Sequence, residues 1–552
     1  MNFDRRSVLG LLGGGAAVAL PSVVTGQSNA PDGRFAHGVA SGDPARDGAV
    51  IWTRVTAPDE LIADLVVKWH VALPATTRSL KSGQVVARAA ADHTVKIELT
   101  GLKPGQEYQY WFSLPGGTRS PTGRLRTLPV GPTDRLVLAV ASCQLYPGGF
   151  FNAYADMAKL ERLDAVVHLG DYIYEYGPDG YGGDIGKRIG RLPLPARETV
   201  TLTDYRRRHA QVKADPDMQA AHARAAFICV WDDHESANDG WLGGAEEHDP
   251  ATEGEWKARK AAAMQAYFEW MPIRDPRPGR PWEAINRSFE FGDLATLAML
   301  ETRLLARSEQ VAPKGAAPGP DQYAATLAER ALPERELLGP IQLDWLGKIL
   351  RASVTARKPW QLLGSQVVMA RVAGPDLEKE MGPERFGALL ARIPEAWRAR
   401  IRASVAGYRA GLPFNFDSWD GYPPARERLY GMLRTAGAQP LVLSGDSHAA
   451  WANDLYDGSG ELVGAEIGTT AITSPSYGAL LPGLGAMLAK VNREVAFCDQ
   501  DSKGYTLLTI TRDTAKADYV AVSTIVAKPF TRKVVASFVK SARGRTVLTR
   551  VT

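Results

Sequence analysis

The sequence predicts an α/β protein, in which a layered domain of alternating strands and helices follows a small all-β domain. From about residue 134 onward, short apolar runs alternate with segments of helical periodicity, which is the pattern of a layered α/β domain. Residues 33–129 instead contain short strand-like runs separated by turns, which indicates a β-sandwich. A length of 552 residues also favours more than one domain.

Composition argues against several broad classes of protein. Hydrophobic residues make up 45% and charged residues 23% of the chain, which are values of an ordinary globular protein. The net charge of +4 is small for this length, so specific nucleic-acid binding is not expected. The three cysteines, an odd number, do not make a disulfide framework.

Residues 1–30 have the pattern of a twin-arginine signal peptide. Arg5 and Arg6 precede a run rich in Gly, Ala and Leu that extends to Leu20, and small residues follow it at 26–30. This pattern predicts export by the twin-arginine machinery, so that the protein is periplasmic or secreted. The apolar run is too short to span a bilayer, and an integral membrane protein is not expected. The alternative is a disordered basic tail.

The predicted β-sandwich domain comprises residues 31–130. Residues 94–99 alternate polar and apolar side chains with period two, as a half-buried strand does. A turn followed by the strand-like run at 108–112 resembles a fibronectin type III or immunoglobulin-like module. Two prolines and a glycine at 128–132 indicate a linker. The second predicted domain comprises residues 131–552.

The second domain is predicted to contain two sheets flanked by helices. Its helices are expected at 150–160, 217–225 and 255–270, and its later strands at 289–300, 360–366, 503–510, 518–525 and 534–539. The basic residues of the third helix, Lys257, Arg259 and Lys260, are expected to be solvated. Two long excursions, at 305–340 and 371–415, interrupt the strands and are expected to form loops over a site.

Four apolar strand-like runs end in residues that can bind metal ions. The runs and their polar ends are 136–141 with Cys143, 165–169 with Asp171 and Tyr174, 226–230 with Asp233, and 440–444 with Asp446 and His448. Open α/β sheets bind ligands beyond the carboxyl ends of their strands, so we expect these side chains to lie together. A plain turn explains any one of these ends, whereas four of them favour a metal site.

These segments, in this order, resemble the alkaline phosphatase D (PhoD) family of calcineurin-like metallophosphoesterases. The matching stretches, which cover nearly the whole chain after the leader, are SCQ at 142–144, GDYIYE at 170–175, ETVTLTDYR at 198–206, WDDHE at 231–235, NFDSWDGY at 415–422 and SGDSHAAW at 444–451. The resemblance implies a four-layer α-β-β-α sandwich and an enzyme that cleaves phosphate esters at two metal ions.

The first metal is expected to bind thiolate, phenolate and imidazole. Related metallophosphoesterases carry Asp-x-His where this chain has Cys143 within SCQ. Thiolate from Cys143 and phenolate from Tyr174 are anionic and polarisable, so with His448 they favour a redox-capable iron over magnesium. Asp171 is expected to bridge to the second metal. The resemblance implies that the iron is ferric.

The second metal is expected to have oxygen ligands. Its candidates are Asp171, Asp233 and Asp446, with Asn238 in addition. Ligation by oxygen alone favours a hard cation, calcium first, and the resemblance implies calcium as well. Zinc and manganese remain open for this second position.

Two further residues are assigned to catalysis. Two metals about 3.5–4 Å apart clamp a phosphoryl group and lower the pKa of a shared water, so a metal-bound hydroxide is expected to attack phosphorus. His234 is predicted to act as general acid or as a donor to the phosphate, with a structural histidine as the alternative. Arg303 is predicted to hold a phosphate oxygen, with a surface ion pair as the alternative. Asp232 and Glu235 are expected to orient His234 and its neighbour.

The sequence therefore predicts an exported metal-dependent phosphoesterase for small phosphate esters, both monoesters and diesters. A phospholipase D-like enzyme or a nucleotide phosphodiesterase on the same metals is an alternative. A non-catalytic surface-binding protein is a further one, but intact ligand residues in every motif argue against it. No G-x-S-x-G nucleophile elbow accompanies a triad, which argues against a serine hydrolase.

Overall fold

Two large mixed sheets and one small antiparallel sheet form the frame of the molecule. The structure, a computed structural model, describes residues 34–56, 63–314, 318–393 and 395–551, so the predicted signal at 1–30 lies outside the described residues. Within them the sheets have ten, seven and four strands. No helix in these ranges is long and apolar enough to cross a membrane.

The ten-stranded sheet contains the first three site-bearing strands at its centre. In spatial order its strands are β21 Thr549–Arg550, β20 Arg532–Ser541, β19 Thr514–Val522, β18 Gly504–Thr511, β8 Arg135–Ala141, β9 Ala165–His168, β10 Phe227–Cys229, β1 Val39–Ala45, β2 Gly48–Arg54 and β5 Thr94–Glu98. Strands β8, β9 and β10 are parallel to one another. All their residues except Arg135 are buried, as expected for parallel strands covered on both faces.

The seven-stranded sheet contributes the fourth site-bearing strand, β14. Its strands are, in spatial order, β11 Arg287–Phe291, β12 Ala295–Met299, β13 Trp360–Gly364, β14 Leu441–Ser444, β16 Leu462–Gly468, β15 Ala450–Tyr456 and β17 Val495–Asp499. Strands β12, β13, β14 and β16 are parallel.

Helices cover the outer face of each large sheet. They are α1 Asn152–Met157, α2 Gly183–Ile189, α3 Leu202–Lys213, α4 Pro216–Arg224, α5 Pro250–Glu253, α6 Trp256–Trp270, α7 Pro320–Arg330, α8 Gly339–Thr355, α9 Leu377–Met381, α10 Pro383–Ala391, α11 Glu395–Arg409, α12 Pro423–Ala436 and α13 Leu484–Val491. The predicted helices at 150–160, 217–225 and 255–270 correspond to α1, α4 and α6. The excursion at 305–340 contains α7 and the first residues of α8, and the excursion at 371–415 contains α9 to α11.

Alternating side chains of β14 show how the layers pack. Leu441 and Leu443 join the core between the two large sheets, whereas Val442 points to a second core with α8 and α12. Apolar residues on both faces of one strand place it inside a stack of layers. Helices α1, α3 and α4 pack on the other side of the first core. The four layers are therefore α-β-β-α, as predicted.

The amino-terminal β module shares a sheet with the rest of the molecule. Its separate four-stranded sheet is β4 Lys81–Ala87, β3 Leu65–Ala72, β6 Glu107–Ser113 and β7 Gly123–Arg126. The opposing layer is β1, β2 and β5, and β1 pairs with β10 at Gly42 and Phe227. A Cβ on Gly42 would lie 2.3 Å from a backbone oxygen, so only glycine fits this junction. The domain boundary at residue 130 stays a prediction, but no break in the sheet separates the two parts.

Helix α6 corrects one expectation about charge. Arg259 is 1% exposed and pairs with Glu198 at 2.9 Å and Glu253 at 2.6 Å. Lys260 is 8% exposed and pairs with Glu283 at 3.0 Å. The prediction that these two residues are solvated is wrong, because their carboxylate partners come from other segments and are not visible in the helix's own pattern.

Candidate metal centre

The predicted metal ligands lie in loops at the carboxyl ends of four parallel strands. Cys143 follows β8, Asp171 follows β9, Asp233 follows β10, and Asp446 follows β14 in the other large sheet. Each of the four is at most 1% exposed. The two sheets pack face to face with these ends at one edge, so the site is assembled from both sheets.

The ligand atoms form adjoining groups that share members. A ligand atom from each of Cys143, Asp171 and His448 lies within 4.8 Å of the other two, and Asp171, Asp233 and His234 form a second such group. Asp446 joins Asp233 and Asp232 in a third, within the same 4.8 Å limit. Since Asp171 and Asp233 each belong to two groups, the arrangement suits two neighbouring ions.

Tyr174 completes the first group. Its hydroxyl donates to Asp171 Oδ2 at 2.8 Å and lies 3.3 Å from His448 Nε2. Ser474 Oγ is 2.7 Å away from the same hydroxyl and also donates to the Cys143 carbonyl at 2.8 Å. Ser474, which no sequence motif indicated, therefore ties the phenol to the Cys143 loop.

The thiol of Cys143 is fully buried beside negative charge. Burial raises its pKa well above the usual value, and the charge of Asp171 adds to this effect. A thiolate in this position needs a cation next to it. The side chain therefore fits a metal ligand better than a free nucleophile.

Four of the candidate ligands have an unusual backbone conformation. The φ angles are 58° at Cys143, 57° at Asp171, 59° at Asp446 and 60° at His448. Residues other than glycine rarely adopt this left-handed region, and each instance costs about 1–3 kcal/mol. Such strain clusters at functional sites, where the surrounding structure holds it in place.

Glu235 links two of the ligand loops through backbone hydrogen bonds. Its carboxylate accepts the N–H groups of Asp171 at 3.1 Å, Tyr172 at 2.6 Å and Asp232 at 2.8 Å. Burial, together with the charge of Asp171, raises its pKa to about 8. In this structure Glu235 therefore supports the Asp171 loop, and the side chain that holds His234 is a different one.

His234 is oriented by Glu175. The imidazole Nδ1 lies 2.8 Å from Glu175 Oε2, and its ring packs against Tyr174 with centroids 4.2 Å apart and the planes tilted by 32°. Burial alone would lower the pKa of His234, but the charges of Asp233 and Glu175 outweigh it and hold the pKa well above normal. A protonated imidazole in contact with the ligand carboxylates can donate to a phosphate or leaving-group oxygen. Glu175 lies in the GDYIYE motif, yet sequence reasoning gave it no role.

Asn238 has the features of an oxygen ligand. Its backbone N–H donates to Glu175 Oε1 at 2.7 Å, and its Nδ2 donates to Glu246 Oε2 at 2.8 Å. Its Oδ1 is buried and has no hydrogen-bond partner among the described residues. Buried polar atoms are rarely left unsatisfied, and an amide oxygen is a calcium ligand. The residues at this second position therefore fit a hard cation.

Arg303 is engaged by carboxylates. Its guanidinium donates to both oxygens of Asp417, at 2.6 and 2.7 Å, and to Asp232. Asp233 and Asp446 lie 3.7 and 3.6 Å from the same group. Arg303 is 0% exposed, so the alternative of a surface ion pair is wrong. Contact with a phosphate stays a prediction, and the geometry adds a role as counter-charge to the buried carboxylates.

Three other residues near the site had no predicted role. Arg307 donates to Asp417 at 2.5 Å. Burial would raise the pKa of Asp417, but the charges of Arg303 and Arg307 outweigh burial and lower this pKa. Tyr181 lies 3.1 Å from His448 Nδ1. The NFDSWDGY motif contained Asp417, whereas nothing in the sequence distinguished Tyr181.

Comparison with known proteins gives matches over both parts of the chain. Residues 138–519 match the family described as PhoD-like phosphatase, and residues 19–129 match the PhoD-like phosphatase N-terminal domain. Alkaline phosphatase D of Bacillus subtilis (strain 168) is 36% identical over 500 residues, covering 88% of this chain and 77% of that protein. The solved structure of PhoD superposes with a TM-score of 0.76 at 32% identity, covering 96% of this chain and 94% of that one. The fold and the family resemblance predicted from sequence are thereby confirmed.

Proposed function

The chain belongs to the PhoD-like phosphatase family and is a phosphoric ester hydrolase, and from that premise we propose that it is an exported, metal-dependent enzyme for monoesters and diesters. The observation that carries the proposal is the convergence of Cys143, Asp171 and His448 within 4.8 Å. The carboxylates of Asp233 and Asp446 lie beside them. A thiol, an imidazole and several carboxylates buried together suit metal ions better than any metal-free hydrolytic arrangement.

Two ions of different character fit the two groups of ligands. Cys143, Asp171, Tyr174 and His448 would hold the first ion, for which we propose iron, because thiolate and phenolate are polarisable donors. Asp171, Asp233, Asn238 and Asp446 would hold the second, for which we propose calcium, with zinc or manganese as alternatives. When bound, such ions polarise the phosphoryl group and lower the pKa of a water molecule.

The chain's own contribution to the reaction is a positioned acid. His234 is held by Glu175 at 2.8 Å and packed against the Tyr174 ring, so its free ring edge has one orientation. With its raised pKa it retains a proton to donate to the leaving oxygen. Complete burial of the imidazole keeps bulk water away from that proton.

Substrate range is proposed to depend on the excursion at 371–415. Phe414 packs edge-on against Tyr477 with ring centroids 6.1 Å apart. Tyr477 is two residues beyond Pro475, whose carbonyl accepts from His448 Nδ1 at 2.6 Å. The excursion therefore reaches the margin of the site, where a second ester substituent would be accommodated. Phe414→Ala is expected to change the diester-to-monoester ratio of kcat/KM without changing metal content.

The proposed function is tested by removing the shared carboxylate. Asp171→Asn is expected to lose both metals, measured by elemental analysis, and hydrolysis of both nitrophenyl phosphate and bis-nitrophenyl phosphate. Asp164→Asn is the matched control, since Asp164 is also buried and accepts the Val137 N–H at 2.8 Å but lies before β9 rather than after it. Full activity in a metal-free wild type would refute metal dependence.

Export is proposed from the twin-arginine pair alone. Replacing Arg5 and Arg6 by Lys is expected to hold the precursor in the cytoplasm, whereas Arg34→Lys should have no effect. Fractionation of cells, with the activity assay applied to each fraction, measures the outcome. Normal export of the double variant would show that another route is used.

A further inference from the structure

Lys503 connects the two large sheets directly behind the proposed metal centre. It is the residue before β18 of the ten-stranded sheet. Its Nζ donates to the backbone carbonyl of His448 at 3.0 Å, and His448 belongs to the loop after β14 of the seven-stranded sheet. The ammonium also donates to Ser476 Oγ at 2.8 Å. Neither sequence motifs nor the proposed chemistry assigned a role to this lysine.

The carbonyl that Lys503 holds belongs to a strained ligand. His448 has a φ of 60°, a conformation that the surroundings must maintain. Thr470 Oγ1 lies 3.3 Å from the same carbonyl, but its single proton is donated to the Ser502 carbonyl at 2.6 Å. The His448 carbonyl is thus held by the Lys503 ammonium at 3.0 Å.

The ring of His448 is fixed separately from its backbone. Nδ1 donates to the Pro475 carbonyl at 2.6 Å, which leaves Nε2 on the side of Tyr174, 3.3 Å from its hydroxyl. The contact with Pro475 sets the direction of the imidazole ring. The position of the His448 backbone then decides where Nε2 lies. A shift of the His448 backbone would move Nε2 relative to Cys143 and Asp171, which belong to the other sheet.

We infer that Lys503 is a positioning residue, which clamps the His448 loop to the ten-stranded sheet and thereby sets the imidazole at the right place for the first metal. This inference rests on the proposed function, since it requires a metal at that position. Burial lowers the pKa of the Lys503 ammonium to about 8, and the charges of Asp499 and Asp501 offset part of that effect. Lys503 does not touch substrate, and its effect on turnover is exerted through His448.

The test compares Lys503→Met with Lys540→Met and Lys503→Arg. Lys540, which lies in β20, is a suitable control. Its Nζ also donates to a backbone carbonyl, that of Thr546, and to Thr546 Oγ1 at 3.0 Å. Metal retained after dialysis against increasing chelator is the main readout. Lys503→Met is expected to release the first metal at about tenfold lower chelator, while Lys540→Met matches the wild type. Lys503→Arg, which keeps a charged donor, is expected to recover most of the retention.

A double-mutant cycle separates positioning from general stabilisation. In a His448→Ala background, Lys503→Met is expected to cause no further loss of metal, because the residue that it positions is gone. Additive losses would overturn the inference. The inference would also be overturned if metal-free Lys503→Met unfolded at a temperature at which metal-free Lys540→Met stays folded. That result would mean that Lys503 stabilises the fold in general. In the metal-loaded enzyme, kcat is expected to fall with KM nearly unchanged.

Failure of the proposed function and failure of this inference give different results. A wild type that contains no metal after native export removes the premise. A wild type that holds metal, with a Lys503→Met variant that holds it equally well, leaves the function intact and overturns the clamp alone.

Discussion

The two halves of the candidate metal centre, with Cys143 in the first and Asp233 and Asp446 in the second, differ in the electrostatic surroundings of their ligands. In the first half, burial and the charge of Asp171 raise the pKa of the Cys143 thiol well above its usual value, so this ligand is neutral while no metal is bound. In the second half, carboxylates such as Asp233 and Asp446 are gathered around Arg303 at 3.7 and 3.6 Å. The thiol of the first half therefore becomes a charged ligand only when a metal binds, whereas the carboxylates of the second half already have a cationic partner in Arg303.

This difference implies different affinities and different costs. Carboxylates brought together in a buried site repel one another, so a cation there stabilises the fold as well as the chemistry. The neutral thiol of Cys143 imposes no such repulsion, but its proton must be released before it binds a metal. Removing the metal of the second half should therefore lower the stability of the protein. Removing the iron of the first half should abolish activity and the visible absorption of the iron.

The largest effect is expected from removing calcium. Exhaustive treatment with a calcium-selective chelator should abolish turnover of a nitrophenyl phosphate ester, because the second half binds its ion through oxygen ligands only. Added calcium should restore turnover better than added zinc. Iron content, measured in parallel, should stay constant. Activity that survives complete removal of calcium would contradict the assignment of the second half.

Replacing the thiol should affect only the first half. Cys143→Ala is expected to lose iron, with its visible absorption, and to lower kcat at least about a thousandfold, while calcium content is unchanged. Cys229→Ala is the matched control, since Cys229 is equally buried but lies within β10. A colourless, iron-free wild type with full activity would show that the first half has been wrongly assigned.

Arg303 provides a test of the charge held by the second half. Arg303→Met should lower the free energy of unfolding of the metal-free protein by about 3 kcal/mol, because it leaves buried carboxylates without their counter-charge. Calcium should reduce this loss. Arg259→Met, which removes another buried arginine from two carboxylates, should cost stability independently of calcium. Urea unfolding with and without calcium measures both, and an equal calcium effect in the two variants would oppose the comparison.

The smallest effect is expected where neither half loses a ligand. Glu175→Gln should lower kcat about tenfold and leave both metals in place. The charge of Glu175 helps to raise the pKa of His234, so its loss lowers that pKa, and the decline of kcat at alkaline pH should begin at lower pH. The pH profile of kcat distinguishes this outcome from a uniform loss of activity, which would indicate a structural role.

Sequence reasoning brought the candidate ligands together because each one follows a recognisable strand. Cys143, Asp171, Asp233 and Asp446 occur immediately after apolar runs, and parallel strands end at a common edge. The four layers were implied by the family resemblance, and strands buried on both faces, which need cover on both sides, agree with it.

What the sequence did not reveal depends on partners far apart in the chain. Arg303 contacts Asp417 across 114 positions, and Lys503 contacts His448 across 55. Such pairs follow from the way in which two sheets are stacked, and no local periodicity encodes that stacking. The pairing of β1 with β10 was likewise missed, because a three-residue strand such as β10 gives no sign of which neighbour it accepts.

The pairing of β1 with β10 has a consequence for the order of folding. Strand β1 is synthesised early, and about 180 residues separate it from its partner β10. The separation between β8 and its partner β18 is longer still. Contacts between such distant segments form slowly. The ten-stranded sheet is therefore closed only when nearly the whole chain has left the ribosome, and until then β1 and β8 present open edges that can pair with other chains. Export of the folded chain, as proposed from the twin-arginine pair, would keep these edges paired during transfer.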